Sequence, residues 1–375
     1  MFTVKTNINQ YNTFAEFAAA FQLNEKDLVI TQTFLYEPYM KALNLPCKFV
    51  MQEKYGAGEP SDEMINNIMK DVKGTAYNRV IGIGGGTVID ISKLFVLNDV
   101  ENITDAFERK IPIVKGKNLI IVPTTCGTGS EMTNISIAEI KSKHTKMGLA
   151  DNAILADEAV LIPELLKGLP FKFYVYSAID ALIHATESYV SPRANSYTQL
   201  FSKEAIHIIL DVFKGIVKAG ETYRMERLGD MLMASNYAGI AFGNAGVGAV
   251  HALSYPLGGN YHVPHGEANY QFFIHIFKLY VSKDPNGVIK ELNAILAQEL
   301  GMSAGASLQP EVIYDELANL LNNLIKANHL SFYGMKEEEI SSFADNVIET
   351  QQRLLKNNYV PLSKEEIKNI YKQLY

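Results

Sequence analysis

The chain has 375 residues, which predicts about two domains, and its 47% hydrophobic and 20% charged residues are the balance of a globular protein. Its net charge of −7 argues against nucleic-acid and anionic-membrane partners, since both would repel it. Two cysteines are too few for a disulfide framework, no apolar run is long enough to span a bilayer, and the N-terminus lacks a signal-peptide pattern. We therefore expect a cytoplasmic protein.

The first part of the chain alternates short β-type runs with helical stretches. Strands are predicted at residues 28–31, 48–51, 79–83, 118–122 and 153–156, and a helix at 61–73. This alternation indicates an α/β domain with a Rossmann-like, mostly parallel, doubly wound sheet.

From about residue 161 onward the sequence is predominantly helical. Helices are predicted at 173–190, 196–219, 221–243, 267–281, 286–301, 310–328, 336–356 and 363–374. We predict an α/β domain over residues 1–161 and an all-α domain over 162–375. The cleft between two such domains is the expected place for a ligand.

A glycine-rich turn follows the predicted strand at 79–83. Gly84, Gly85 and Gly86 lead through Thr87 into a predicted helix that carries Asp90. Glycines let the backbone bend tightly and approach a phosphate, and the N-terminus of the following helix offers free N–H groups. The turn matches neither the six-residue dinucleotide fingerprint nor the P-loop, and by itself it could also be a simple tight connection.

A second polar loop follows the predicted strand at 118–122. It contains Thr124, Thr125 and Thr128, whose hydroxyl groups are potential hydrogen-bond donors. Taken alone, the loop could be an ordinary polar turn. Two such loops at the carboxyl ends of parallel strands predict a nucleotide site, because ligands bind there in open α/β sheets.

Four residues of the second half form a candidate metal site. Asp180 and His184 are four residues apart in an apolar helical segment and therefore share a helix face. His251 and His265 are separated by a segment with proline and glycine residues, where a chain reversal could bring both to the same point. Three imidazoles and one carboxylate suit Fe(II) or Zn(II).

These motifs together resemble the iron-containing (group III) alcohol dehydrogenases. Residues 84–93 and 124–131 are similar to the two loops of that family, and the four candidate ligands match its metal ligands in type, order and spacing. The resemblance extends from about residue 28 to at least 280. It implies the fold shared with the dehydroquinate synthases, and hydride transfer between NAD(P) and a small alcohol or aldehyde in a homo-oligomeric enzyme.

The resemblance also implies a set of cofactor contacts. The residues expected to bind the cofactor are Gln32, Gly84, Gly85, Gly86, Thr87, Asp90, Thr124, Thr125, Thr128 and Lys146. Lys146 could equally be a solvated surface lysine. Gln32 stands where many relatives have an aspartate that repels the 2′-phosphate of NADP, and no basic residue adjoins it in sequence, so we predict NAD without excluding NADP.

One position departs from the family pattern. Tyr255 occupies the place, four residues after His251, where the family has a second histidine, so the proton relay is open. His262 is a candidate replacement, although it could be a structural histidine. The segment 252–259 resembles the branch of the family that interconverts 4-hydroxybutyrate and succinate semialdehyde, and Tyr255, His262 and Arg193 are candidate donors to the substrate carboxylate.

Three alternatives remain at this point. The first is a dehydrogenase of another small alcohol or diol, of the butanol, 1,3-propanediol or glycerol type. The second is a dehydroquinate synthase-like lyase, whose phosphate-binding basic residues are not evident in the sequence. The third is a catalytically silent metal-binding or scaffold protein.

Overall fold

The computed structural model describes residues 1–143, 145–302 and 309–375. Within these ranges the chain divides into two compact units: Val4–Leu169, and Pro170–Tyr375 together with Met1–Thr3. The division lies after the boundary predicted at residue 161. The reason is that Leu165 packs in the core of the first unit and the Glu164 carboxylate accepts a hydrogen bond from the Phe14 N–H at 2.9 Å.

The first unit is built on a parallel six-stranded sheet in the order β1-β8-β5-β4-β2-β3. These strands are β1 (Asn7–Gln10), β2 (Asp27–Thr31), β3 (Lys48–Met51), β4 (Arg79–Gly84), β5 (Asn118–Pro123) and β8 (Glu158–Leu161). The helices of this unit are α1 (Phe14–Ala20), α2 (Thr33–Tyr39), α3 (Asp62–Asp71), α4 (Gly86–Leu94) and α5 (Ile103–Phe107). The predicted doubly wound α/β fold is confirmed.

The sheet has a hydrophobic core on each face. Successive side chains of β2 alternate between them, with Leu28 and Ile30 in one core and Val29 in the other. In β4, likewise, Val80 and Ile81 point to opposite cores. A strand buried on both faces needs an uninterrupted apolar run, which is why β2, β4 and β5 are readable from the sequence.

The strand predicted at residues 153–156 is wrong. Asp151 accepts a hydrogen bond from the Ala153 N–H at 2.9 Å and caps a 3₁₀ turn over Asn152–Ile154, and the strand β8 begins later, at Glu158. The structure also contains an antiparallel hairpin that the sequence analysis did not predict, formed by β6 (Ile135–Ile140) and β7 (Thr145–Ala150).

The second unit is helical, as predicted. Its helices are α6 (Phe171–Val190), α7 (Ser196–Ala219), α8 (Leu228–Ala245), α9 (Ala249–Tyr261), α10 (His265–Lys283), α11 (Ile289–Glu299), α12 (Pro310–Leu324), α13 (Ile340–Thr350), α14 (Gln352–Leu355) and α15 (Lys364–Leu374). Helix α6 is buried on all sides over most of its length. Across the described ranges, no helix is both long and apolar enough to cross a membrane.

Helix α9 was not predicted. It contains Pro256, which removes a backbone donor from a helix interior. Nevertheless, residues 249–254 and 256–258 are buried. Packing of this segment therefore outweighs its poor helix propensity, and the chain reversal expected between the two histidines is confined to the short connection between α9 and α10.

Candidate metal centre and nucleotide-binding loops

Three helices of the second unit bring the candidate metal ligands together. Asp180 and His184 lie one turn apart on α6, His251 lies in the first turn of α9, and His265 is the first residue of α10. Asp180, His184 and His251 are buried, with 2%, 4% and 2% of their surface exposed, whereas His265 is half-buried. Three buried donors from α6 and α9 thus meet a more accessible fourth one from α10.

The donor atoms of these four residues lie within 4.8 Å of one another. The Nε2 atoms of His184 and His251 are 3.0 Å apart, and Asp180 Oδ1 is 3.9 Å from His251 Nε2 and 3.8 Å from His265 Nε2. Donors bound tetrahedrally at about 2.1 Å would be roughly 3.4 Å apart. The spacing in the structure therefore fits a single transition-metal ion.

The charge of Asp180 is stabilised by its surroundings. Burial alone would raise the pKa of this carboxyl, but the imidazoles of His184, His265 and His251, together with the side-chain amide of Asn269, hold the pKa below its usual value. Asn269 Nδ2 donates to Asp180 Oδ1 at 2.8 Å and lies 3.1 Å from His265 Nε2. The carboxylate is therefore ionised and oriented toward the histidines.

Glu187 is a candidate site residue that the sequence analysis missed. Its carboxylate accepts hydrogen bonds from His251 Nδ1 at 2.6 Å and from the Val250 N–H at 2.8 Å, and only 2% of the residue is exposed. This contact fixes the proton of His251 on Nδ1 and leaves Nε2 free to bind a metal. A signal was present, because Glu187 lies three residues after His184 on the same face of a buried, mostly apolar helix.

An aromatic ring closes one side of the cluster. The ring of Phe242, from α8, stacks on His184 with centroids 4.3 Å apart and an interplanar angle of 16°. His184 also stacks on His251 at 4.7 Å. The imidazole of His184 is thus held between two rings, which fixes its orientation and keeps water from its face.

The two candidate proton-relay residues occupy different environments. Tyr255 is half-buried, and its ring centroid is 6.4 Å from that of His265. His262 is exposed at the end of α9, in the left-handed backbone region with φ of 53°. Arg193, the third candidate contact of the substrate carboxylate, is exposed and donates to the Asn244 carbonyl at 3.0 Å.

In the first unit, the two predicted nucleotide-binding loops lie side by side. They follow β4 and β5, which are neighbours in the sheet, and the Thr124 N–H donates to the Gly84 carbonyl at 3.0 Å. A Cβ atom at Gly85 would lie 3.3 Å from the Thr125 methyl group, and one at Gly86 the same distance from the Thr128 methyl group. Side chains at either glycine would therefore fill the space between the loops.

Two buried hydroxyl groups at this edge of the sheet lack a partner. Among the described residues, Thr31 Oγ1, at the end of β2, and Thr125 Oγ1, just after β5, form no hydrogen bond. Unpaired buried polar atoms are uncommon and costly in folded proteins. Unpaired hydroxyl groups beside a glycine-rich turn are what a polar ligand such as a nucleotide requires.

The other predicted cofactor contacts have protein partners in the structure. The Thr87 hydroxyl donates to the Gly58 carbonyl at 2.9 Å, and Lys146 forms an ion pair with Glu59. Gln32 Nε2 donates to Gln52 Oε1 at 3.2 Å. These side chains are positioned by neighbouring segments.

Asp90 belongs to a buried polar cluster with Lys93. Its carboxylate accepts from the Ser130 hydroxyl and from the Ile137 N–H, both at 2.9 Å, and burial raises its pKa. Lys93 donates to Ser130 Oγ at 2.7 Å, to Thr133 Oγ1 at 3.0 Å and to the carbonyl of Ile135 at 2.6 Å. Burial lowers the pKa of Lys93 to about 8. The cluster anchors the threonine-rich loop to α4.

Both parts of the chain match known sequence families. Residues 5–163 match the family described as iron-containing alcohol dehydrogenase, and residues 174–375 match its C-terminal counterpart. The chain is 56% identical over 369 residues to the 4-hydroxybutyrate dehydrogenase of Clostridium kluyveri, covering 98% of each sequence. It is 32% identical to long-chain-alcohol dehydrogenase 1 of Geobacillus thermodenitrificans, over 80% of this chain and 75% of the relative.

Solved structures share the fold. A 1,3-propanediol oxidoreductase superimposes with a TM-score of 0.86 at 22% identity, with all of both chains covered. The sulfoacetaldehyde reductase of Bifidobacterium kashiwanohense, solved in complex with NAD+, gives a TM-score of 0.85 at 19% identity, with 100% of this chain and 98% of that chain covered. With both family patterns matched, the chain belongs to the iron-containing alcohol dehydrogenases.

Proposed function

We propose that this protein is an NAD-linked, metal-dependent dehydrogenase that interconverts 4-hydroxybutyrate and succinate semialdehyde. The observation that carries the reaction type is the convergence of Asp180, His184, His251 and His265 with donor atoms within 4.8 Å of one another. The substrate is supported by the 56% identity to a 4-hydroxybutyrate dehydrogenase over 98% of the chain. Neither alternative activity, a lyase or a silent scaffold, has comparable support.

The four ligands would hold Fe(II), with Zn(II) as the alternative that the same donor set can bind. When bound, the metal supplies a Lewis acid that lowers the pKa of an alcohol hydroxyl and polarises an aldehyde carbonyl. Around it, Glu187 keeps the Nε2 atom of His251 free of a proton, and Asn269 orients the Asp180 carboxylate. Phe242 excludes water from one side of His184.

The glycine and threonine loops of the first unit would hold NAD, which accepts or donates the hydride at its nicotinamide ring. Gly84, Gly85 and Gly86 are the proposed backbone contacts of the pyrophosphate, and the unpaired Thr125 hydroxyl is an available donor. Thr87, Thr124 and Thr128 are proposed to contact the same cofactor, while Asp90 keeps the loop in place through Ser130. Lys146 and Gln32 are further proposed contacts.

Tyr255 is our candidate for moving the proton. It is half-buried, and its ring lies near that of His265, the most accessible of the proposed ligands. The exposed His262 is the alternative relay. For the carboxylate of the substrate, Tyr255, His262 and Arg193 remain the proposed hydrogen-bond donors.

The test is a comparison of substrates on metal-loaded protein. Apoprotein is reconstituted with Fe(II) or Zn(II), and NADH formation is followed with 4-hydroxybutyrate and with 1-butanol, a substrate of equal chain length without the carboxylate. We expect kcat/KM to be at least about tenfold higher for 4-hydroxybutyrate, since its charged group adds binding contacts. Equal rates on both alcohols would contradict the proposed substrate, and no NAD-linked turnover of either would contradict the proposed reaction.

We also propose assembly into a homodimer or a larger homo-oligomer. Light scattering on the purified holoenzyme measures its mass directly. A monomer of 41.7 kDa would contradict this part of the proposal.

A further inference from the structure

An acidic side chain lies at the carboxyl ends of β2 and β3. The two strands are parallel, and their last paired residues are Thr31 and Met51. Two residues beyond each of these come Thr33, which begins α2, and Glu53, in the 3₁₀ turn Gln52–Tyr55. Glu53 is therefore carried to the end of β2 by the neighbouring strand.

The Glu53 carboxylate is held in place by Thr33. Its Oε1 atom accepts the Thr33 N–H at 2.9 Å and also the Thr33 hydroxyl. The rest of the side chain is exposed. Thr33 thus positions the carboxylate where a ligand can reach it.

The turn that carries Glu53 is itself anchored. Gln52 is only 2% exposed, and its Nε2 atom donates to the Gly56 carbonyl at 3.0 Å and lies 3.1 Å from Met64 Sδ. Its Oε1 atom accepts a hydrogen bond from Gln32 Nε2 at 3.2 Å. The carboxylate is consequently presented from a fixed piece of backbone.

The carboxylate is ionised at neutral pH. Partial burial works to raise the pKa of Glu53, but the hydrogen bonds from Thr33 and the nearby charge of Lys54 lower it below its usual value. The charge is therefore present under the conditions in which a nucleotide would bind.

The position of β2 in the sheet indicates which ligand the Glu53 carboxylate could bind. β2 is the neighbour of β4, the strand whose end carries the glycine-rich turn. In dinucleotide-binding α/β folds, an acidic residue beyond the glycine-rich turn binds the ribose hydroxyl groups of the adenosine in NAD and repels the 2′-phosphate of NADP. In this chain β2 ends at Thr31 and is followed by Gln32 and Thr33, and none of these three residues is acidic.

We propose that Glu53, supplied by β3, performs this function: it accepts a hydrogen bond from the adenosine ribose of NAD and excludes NADP. The inference rests on the proposed NAD-linked function and names the residue that sets its cofactor preference. The neighbouring Lys54 does not cancel this effect, because the exclusion of NADP depends on the Glu53 carboxylate that Thr33 orients. Removing that carboxylate would leave Lys54 as a cation able to attract a 2′-phosphate.

The test measures binding of adenosine fragments, which needs no catalytic turnover. The full-length protein and its Glu53→Gln variant are titrated calorimetrically with adenosine 5′-diphosphate and with adenosine 2′,5′-bisphosphate. The matched control is Glu37→Gln, an exposed glutamate of α2 that pairs with Lys41 at 2.7 Å. Glutamine keeps an oxygen that can accept from Thr33, so the E53Q variant is expected to fold, and its circular dichroism and melting temperature check this.

We expect wild type and E37Q to bind the 5′-diphosphate at least roughly tenfold more tightly than the 2′,5′-bisphosphate, and E53Q to lose most of this preference. With the full cofactors, the ratio of kcat/KM for NADP to that for NAD should rise by a similar factor. Wild type binding both fragments equally, or a folded E53Q variant keeping the wild-type preference, would overturn the inference. These results are independent of the substrate, because failure of 4-hydroxybutyrate oxidation alone would leave the fragment preference unchanged.

Discussion

Replacing Glu187 tests whether the proposed metal centre depends on a carboxylate outside the proposed ligand set. The Glu187→Gln variant keeps the size of the side chain and one oxygen acceptor. Its amide group then faces one of the two donors, His251 Nδ1 or the Val250 N–H, which Glu187 contacts at 2.6 and 2.8 Å. One charge-assisted hydrogen bond is lost, and the His251 imidazole is no longer held in the tautomer that leaves Nε2 free.

The expected cost follows from these two contacts. Loss of a partner that orients a metal-binding histidine weakens metal binding by about 10- to 100-fold, which corresponds to about 1.4 to 2.7 kcal/mol. The Glu187→Ala variant is predicted to lose folding stability as well, since it leaves two buried donors unpaired at about 1–3 kcal/mol each. We therefore expect E187A to lose stability as well as affinity, and E187Q to lose mainly affinity.

The assay is a competition between apoprotein and a chromophoric chelator for Zn(II), accompanied by urea unfolding of the apoprotein. The matched control is Ser188→Ala. Ser188 is the next residue of α6 and equally buried, but its hydroxyl pairs with Ser202 at 2.9 Å and not with a ligand histidine. S188A should keep wild-type metal affinity. A metal dissociation constant of E187Q within twofold of wild type would refute the positioning role of Glu187.

Four further substitutions separate the functions of other residues. Gly84→Ala should destabilise the fold, because its Cβ atom would lie 2.6 Å from Val88. Gly86→Ala should instead weaken NAD binding roughly tenfold with little loss of stability. Thermal melts measure the stability and NADH fluorescence titrations the binding, and equal effects of the two substitutions on both quantities would contradict this distinction. Lys93 has its pKa lowered from 10.5 to about 8, so between these values the unfolded chain binds the proton that the folded chain has released, and wild-type stability gains on the order of 1–3 kcal/mol as pH rises. In urea unfolding at pH 7.5 and 9.5, the free energy of unfolding of wild type minus that of Lys93→Met should thus increase with pH. A difference that stays constant would contradict this prediction. Asp180→Ala should abolish metal binding and turnover, as measured by metal analysis and NADH formation, and full activity of metal-free protein would disprove the proposed centre.

Features that depend on local sequence were predictable. The strands β2, β4 and β5 are continuous apolar runs, and the spacing of Asp180 and His184 places both on one helix face. The glycine-rich turn was found because strand, glycines and helix follow each other directly. In each case the physical cause, such as burial on two faces, helix periodicity or backbone freedom, acts within a few residues.

Features that depend on distant partners were not predictable. β1 is a mostly exposed edge strand of polar residues, and it exists because Asn7 and Asn9 pair with Glu158, about 150 residues away. Helix α9 contradicts its own propensity and is stabilised by burial. The contact between Thr33 and Glu53 requires the parallel pairing of β2 with β3, which no local pattern near either residue reveals.

The charges of the metal centre explain why its acidic residues tolerate burial. Asp180 and Glu187 are both 2% exposed, and burying an unpaired carboxylate costs several kcal/mol. The two carboxylates bring two negative charges to the site, which one divalent ion would balance. Asn269 and the Val250 N–H provide part of this compensation through hydrogen bonds. The same arrangement that creates an electrostatic cost in the apoprotein therefore supplies affinity for the metal, so that stability and metal binding are coupled at this site.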